Sequence, residues 1–172
     1  MARTVTLKGN PQSLEGNELH VGQSAPDFKL QANDMSDVTL AAGKGKVRIL
    51  STVPSLDTPV CDKETRRFNE EAAKLSGVEI LTISVDLPMA QKRWCAAAGI
   101  ERVKTLSDHR TSDFGRSYGV LVKGGPLDRF LSRAIFVVDK HDKLAHVEYV
   151  PEIAQEPNYD AALNAARKAA GA

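Results

Sequence analysis

Two cysteines are the only side chains in this 172-residue chain whose setting suggests redox chemistry. Cys61 closes the segment Pro54-Ser-Leu-Asp-Thr-Pro-Val-Cys61, at what reads as a strand-to-helix turn. Thr58 suits the N-cap of the helix, and Pro59 suits its first position, where a missing N–H costs nothing. Cys61 then falls at the third helical position, inside a turn whose backbone N–H groups lack partners. A thiolate there meets free donors and the positive end of the helix dipole. A capping box would place a glutamate at this position; here the anion would be sulfur. The chemistry indicated is nucleophilic attack by a thiolate, followed by its oxidation.

The elements that must hold this turn are legible on both sides. Upstream, Val47-Arg-Ile-Leu-Ser-Thr-Val53 is a short β-branched apolar run and reads as a buried strand. Downstream, Asp62 to Ser76 is rich in Glu, Lys, Arg and Ala, with Phe68, Ala72 and Leu75 at helical spacing. The helix is therefore expected from about 59 to 76. Cys95 lies in a second expected helix, which starts at Asp86 and Pro88 and stops at Gly99. The strand Val78 to Val85 separates the two helices.

The remaining pattern is mixed. Thr4 to Leu7 and Glu18 to Val21 flank Gly-Asn-Pro and Glu-Gly-Asn and are expected to form an N-terminal hairpin. Phe28 to Leu30, Asp37 to Leu40 and Val103 to Leu106 are short strands, and Asp113 to Tyr118 is a short helix. Gly119 to Asp128, with Gly124-Gly-Pro126, reads as a loop. Ala134 to Val138 and Leu144 to Val150 form a hairpin across Asp139-Lys-His-Asp142, and Asn158 to Ala170 is a terminal helix. Strands alternating with helices, then a late hairpin, give an α/β class: one domain over residues 1–172, with a mixed sheet flanked by helices on both faces.

The motif Pro54-x-x-x-Thr58-x-x-Cys61 resembles the peroxiredoxin active site. With Cys95 in place, the chain is similar to the thiol peroxidase branch, the atypical two-cysteine peroxiredoxins. Ala25-Pro-Asp-Phe28, Asp86-Leu-Pro-Met-Ala-Gln91 and Ser132-Arg-Ala-Ile-Phe-Val-Val-Asp139 extend the likeness through most of the sequence. The resemblance implies a thioredoxin-like fold, a hydroperoxide as substrate, and Cys61 as the attacking thiolate. It implies Cys95 as the thiol that resolves the sulfenic acid to an intramolecular disulfide, thioredoxin as the reductant, and a homodimer. Pro54 would shield the thiolate, while Thr58 and Arg133 would contact the peroxide. No metal or organic cofactor is implied. The family carries phenylalanine before the resolving cysteine, where this chain has Trp94, its only tryptophan.

Each of these residues also has a plainer reading. A free cysteine is often a small buried hydrophobe, and Cys95, beside three alanines, suits that role. Thr58 can be an N-cap alone and Pro54 a turn residue alone. Arg133 opens a buried strand, where arginine is usually solvated or ion-paired, and Arg129 competes for its role. A thiol switch would use the same cysteine pair without turnover, but it would not need a pocket built from Pro54, Thr58 and Arg133.

Other chemistries find little support. His20, His109, His141 and His146 show no metal-ligand spacing with either cysteine. There is no Cys-x-x-Cys, and Gly43-Lys-Gly-Lys46 is too short for a phosphate loop. The net charge of +1, without a long basic run, argues against a nucleic-acid partner. No apolar stretch reaches the length of a membrane span, and no signal-peptide core is visible, so a cytoplasmic location is expected. Structural disulfides are rare there, which again favours reactive thiols.

Overall fold

The computed structural model describes residues 3–171. Its first hairpin joins β1 (Arg3–Leu7) to β2 (Asn10–Glu15) through Lys8 and Gly9, both with left-handed φ, of 50° and 82°. A two-residue loop of this kind matches the twist of the strands. The hairpin therefore turns earlier than the sequence suggests, and residues 18–21 are not a strand. Pro11 sits inside β2 opposite Thr6, next to the closing pair Leu7 and Asn10. Its nitrogen there points away from β1, toward an edge with no strand beside it, so the missing N–H breaks no ladder. The neighbour of β2 begins only at Ser13.

The chain continues as β3 (Lys29–Ala32), β4 (Asp37–Thr39), a 3-10 turn over Leu40–Gly43, and β5 (Val47–Thr52). Then come α1 (Pro59–Ala72), β6 (Val78–Ser84), α2 (Pro88–Ala98), β7 (Lys104–Ser107) and α3 (Asp113–Ser117). β8 (Leu121–Lys123), β9 (Ala134–Val138), β10 (Leu144–Tyr149) and α4 (Tyr159–Ala170) complete it. β8 lies within the stretch expected to be loop; three residues pair with β2 and carry no period that sequence reading could detect. α1 ends at Ala72 rather than Ser76. Lys74 and Leu75 follow it in i to i−3 turns, and Gly77 takes up the left-handed φ of 72°.

Seven strands form the main sheet, in the order β10-β9-β5-β6-β7-β3-β4. β5, β6 and β7 run parallel, and the flanking pairs are antiparallel. Every residue of β5 is buried, as a central strand requires. Strand alternation sorts the core into two layers. Leu50, Leu81, Ile83, Leu106, Phe136 and Val138 face Phe114 and Tyr118 of the α3 region. Ile49, Ile80, Ile135 and Val137 face Phe68 of α1, Cys95 of α2, and Leu163 and Ala166 of α4. β1, β2 and β8 make a separate three-stranded sheet. Among the described residues, no helix is long and apolar enough to cross a membrane.

Candidate active site

The site forms where β5 ends and α1 begins. Pro54 is buried just past β5. Thr58 is the N-cap residue, extended at φ −134° and ψ 150°, and Pro59 opens the helix as expected. The Thr58 hydroxyl does not cap the helix, however. It donates to the Ser55 carbonyl at 2.8 Å, closing the loop that leads into the helix, and the residue is exposed. Cys61 lies two residues beyond Pro59 and is completely buried. Val53 and Leu56 pack around it, with Trp94 of α2 against them.

Strand β9 brings the decisive charge. Arg133 immediately precedes it and is 2% exposed. Its Nη2 donates to Cys61 Sγ at 3.2 Å, its Nη1 to Glu64 Oε2 at 2.5 Å, and its Nε to the Ile153 carbonyl at 2.9 Å. The planar fork thus reaches sulfur and carboxylate from two separate nitrogens, which the single nitrogen of an ammonium does not offer. Burial works against the guanidinium charge, but Glu64 and Cys61 outweigh it and hold Arg133 protonated more firmly than usual. Arg129, the competing arginine, is exposed and donates to Ser112 Oγ at 3.0 Å.

Glu64 is the residue that sequence reasoning missed. It lies one turn after Cys61, is fully buried, and accepts from Ser51 Oγ at 2.7 Å as well as from Arg133. The signal was available: positions 61, 64, 65 and 68 form one helix face, and Phe68 marks that face as buried. Burial pushes the Glu64 carboxyl up to about 6, against the opposing pull of Arg133 and Ser51. A raised folded value favours the protonated form in the folded state. That stabilisation is fully present below the unfolded value and is lost as pH rises through about 6. Denaturant unfolding should show wild type losing stability relative to Glu64→Gln as pH rises from 4 to 7. A difference between the two proteins that stays flat over this range would refute the assignment.

Cys95 occupies a different environment. Its Sγ lies 3.5 Å from Thr105 Oγ1 on β7, and Thr105 in turn donates to Asn33 Oδ1 at 2.9 Å. Both cysteines are free. Trp94 links their surroundings, because it packs on the Cys61 cluster and on the layer that contains Cys95. Beside Leu56 and Trp94 lies an open groove of about 700 Å³, also lined by Asp57, Asp86 and Met89. Cys61 and Arg133 thus meet directly, with Pro54 and Thr58 on the segment that leads into the Cys61 helix, while Cys95 is held in α2 on its own partners.

A thiol at the start of a helix, with a buried guanidinium donating to its sulfur, is placed to act as a nucleophile toward an electrophilic oxygen or sulfur. Comparison with known proteins shows the family. The Redoxin family model matches residues 20–163. The thiol peroxidase of Halalkalibacterium halodurans is 57% identical, over 96% of this chain and 98% of that protein. The thiol peroxidase of Bacillus subtilis is 51% identical, over 95% and 96%. A crystal structure of a peroxiredoxin-like protein from Aquifex aeolicus superposes with a TM-score of 0.92 at 47% identity, covering 98% of both chains. By this likeness and by its mixed sheet, the chain has the thioredoxin-like fold of peroxiredoxins, and it belongs to the redoxin family and, within it, to the thiol peroxidases.

Proposed function

We propose that the chain is a thiol-dependent peroxidase, acting as one domain, in which Cys61 reduces hydroperoxides and Cys95 resolves the product. The observation that carries this reading is the Arg133 fork, shared between Cys61 Sγ and Glu64 in a buried site. The Cys61 thiolate attacks one peroxide oxygen. The O–O bond breaks, and its electron pair leaves on the other oxygen, which takes a proton and departs as water or an alcohol. Arg133 and the N–H groups at the start of α1 stabilise the charge as it moves to the leaving oxygen. Thr58 offers its hydroxyl once the Ser55 bond is released, and Pro54 walls off the sulfur. Cys61 is then a sulfenic acid. Cys95 attacks that sulfur, water leaves, and the disulfide forms. A dithiol protein of the thioredoxin type supplies two electrons to restore both thiols.

The proposal includes a cytoplasmic homodimer, without nucleic-acid or membrane partners. Leu87 and Met89, 50% and 58% exposed, put apolar surface beside the groove, where a second copy could cover it. A thiol switch would need the cysteine pair but not a buried arginine aimed at the sulfur, and that favours the enzyme. The test is NADPH consumption in a system coupled through thioredoxin and its reductase, with hydrogen peroxide and organic hydroperoxides compared. Peroxide-dependent consumption is expected. A single stoichiometric oxidation without turnover would instead support the switch.

A further inference from the structure

Cys61 and Cys95 sit on different partners in this structure, so the segments carrying them must move before a disulfide can form. One side chain joins those segments. Asp86 lies between β6 and α2, at the entrance to the Cys95 helix. Its Oδ1 accepts from Ser55 Oγ at 2.8 Å, and its Oδ2 accepts from the Leu56 N–H at 2.8 Å. Both donors belong to the loop that leads to Cys61, and the Leu56 side chain packs on Cys61 itself. Asp86 Oδ2 also accepts from Ser84 Oγ at 2.8 Å, and the Asp86 carbonyl accepts from Ser107 Oγ at 2.5 Å. The carboxylate therefore fastens the active-site loop to the sheet at the point where α2 starts.

The seam beneath α2 is built to part. Thr82 and Ser84 of β6 pair with Thr105 and Ser107 of β7, so four hydroxyl side chains line the face that α2 covers. Gln91 and Cys95 are the α2 side chains that meet them. Gln91 Nε2 donates to Ser84 Oγ at 3.0 Å and to the Leu106 carbonyl at 2.9 Å. Gln91 Oε1 and Thr82 Oγ1 are buried with no hydrogen-bond partner among the described residues. Lifting α2 would hydrate those two atoms, which repays part of the cost of separation. An apolar seam would gain nothing of this kind.

We propose that Asp86 is a positioning residue for the resolving step, on the reading that Cys61 is peroxidatic and Cys95 resolving. It holds the Ser55–Leu56 loop and the start of α2 in the arrangement that meets peroxide, and its bonds must open before Cys95 reaches Cys61. Removing the clasp has opposite effects on two successive steps. Peroxide attack slows, because the loop that shapes the site loosens. Disulfide formation speeds up, because the arrangement that must be left is destabilised. The sulfenic acid then lives for a shorter time and is less open to a second oxidation.

The experiment is stopped-flow mixing of the reduced chain with excess hydrogen peroxide, without reductant, following Trp94 fluorescence. A phase whose rate rises with peroxide reports sulfenic acid formation, and a peroxide-independent phase reports disulfide formation. In Asp86→Ala the second phase should be about tenfold faster, equivalent to about 1.4 kcal/mol, while the first phase slows. Ser55→Ala removes one arm alone, so it keeps the test open if Asp86→Ala folds poorly. It should move the two phases in the same directions by a smaller factor. A second phase that is unchanged or slower in both variants overturns the clasp, and so does one common factor on both phases. Failure of the cysteine reading looks different: wild type itself would then lack the second phase, and the clasp would fall with it.

Discussion

Cys61→Ser is expected to lose peroxide turnover by roughly a thousandfold or more, about 4 kcal/mol of barrier, while remaining folded. A serine hydroxyl does not ionise near neutral pH, so the nucleophile disappears rather than weakens. The volume hardly changes in a site where Cys61 is completely buried. The serine oxygen can still accept from Arg133 Nη2, which now donates to sulfur at 3.2 Å, so no buried donor is stranded. Unfolding midpoints of the two proteins should agree closely. The check is the coupled assay beside a thermal melt. Substantial turnover in a folded Cys61→Ser protein would remove the sulfur from the mechanism.

Arg133→Lys should be the next most damaging change, lowering the rate of Cys61 oxidation by about ten- to a hundredfold. Positive charge is kept, so the loss measures geometry. Arg133 serves Cys61, Glu64 and the Ile153 carbonyl from three nitrogens of one plane. A lysine ammonium in the same cavity would be drawn to Glu64, fully buried and needing a counter-ion, and would leave the sulfur. Arg129→Lys is the control. That residue is itself exposed and donates to the buried Ser112 rather than to Cys61, and its replacement should leave peroxide reactivity unchanged. The reverse result, with Arg129→Lys damaging and Arg133→Lys silent, would mean that the wrong arginine has been assigned.

How far sequence reading reached depended on the range of the interactions. The strand before Cys61, the N1 proline and the helical position of the cysteine follow from neighbours in the chain, and all are found at β5 and α1. Gly99 ends α2 with a left-handed φ of 69°, as a glycine C-cap should. The late hairpin of β9 and β10 follows from its turn residues. What escaped was set by partners distant in sequence or by a choice between two local ones. The helix face shared with Phe68 could have marked Glu64 as buried, but its partner Arg133 lies 69 residues away in sequence and only the fold brings the two together. The Thr58 hydroxyl has two local choices, a helix N–H or the Ser55 carbonyl, and the tight loop decides for the carbonyl. β8 and the true register of the first hairpin depend on each other, because β8 exists only where Ser13 to Glu15 offers a partner.

Peptide mapping under non-reducing conditions, after the reduced chain has met one equivalent of hydroperoxide, tests the central claim most directly. The account predicts a single intramolecular bond between the peptides containing Cys61 and Cys95, formed in step with peroxide consumed. In Cys95→Ala the same treatment should leave Cys61 as a sulfenic acid that excess peroxide carries on to the sulfinic state. A wild-type chain that consumes peroxide but shows Cys61 unmodified, or Cys95 oxidised first, would contradict it.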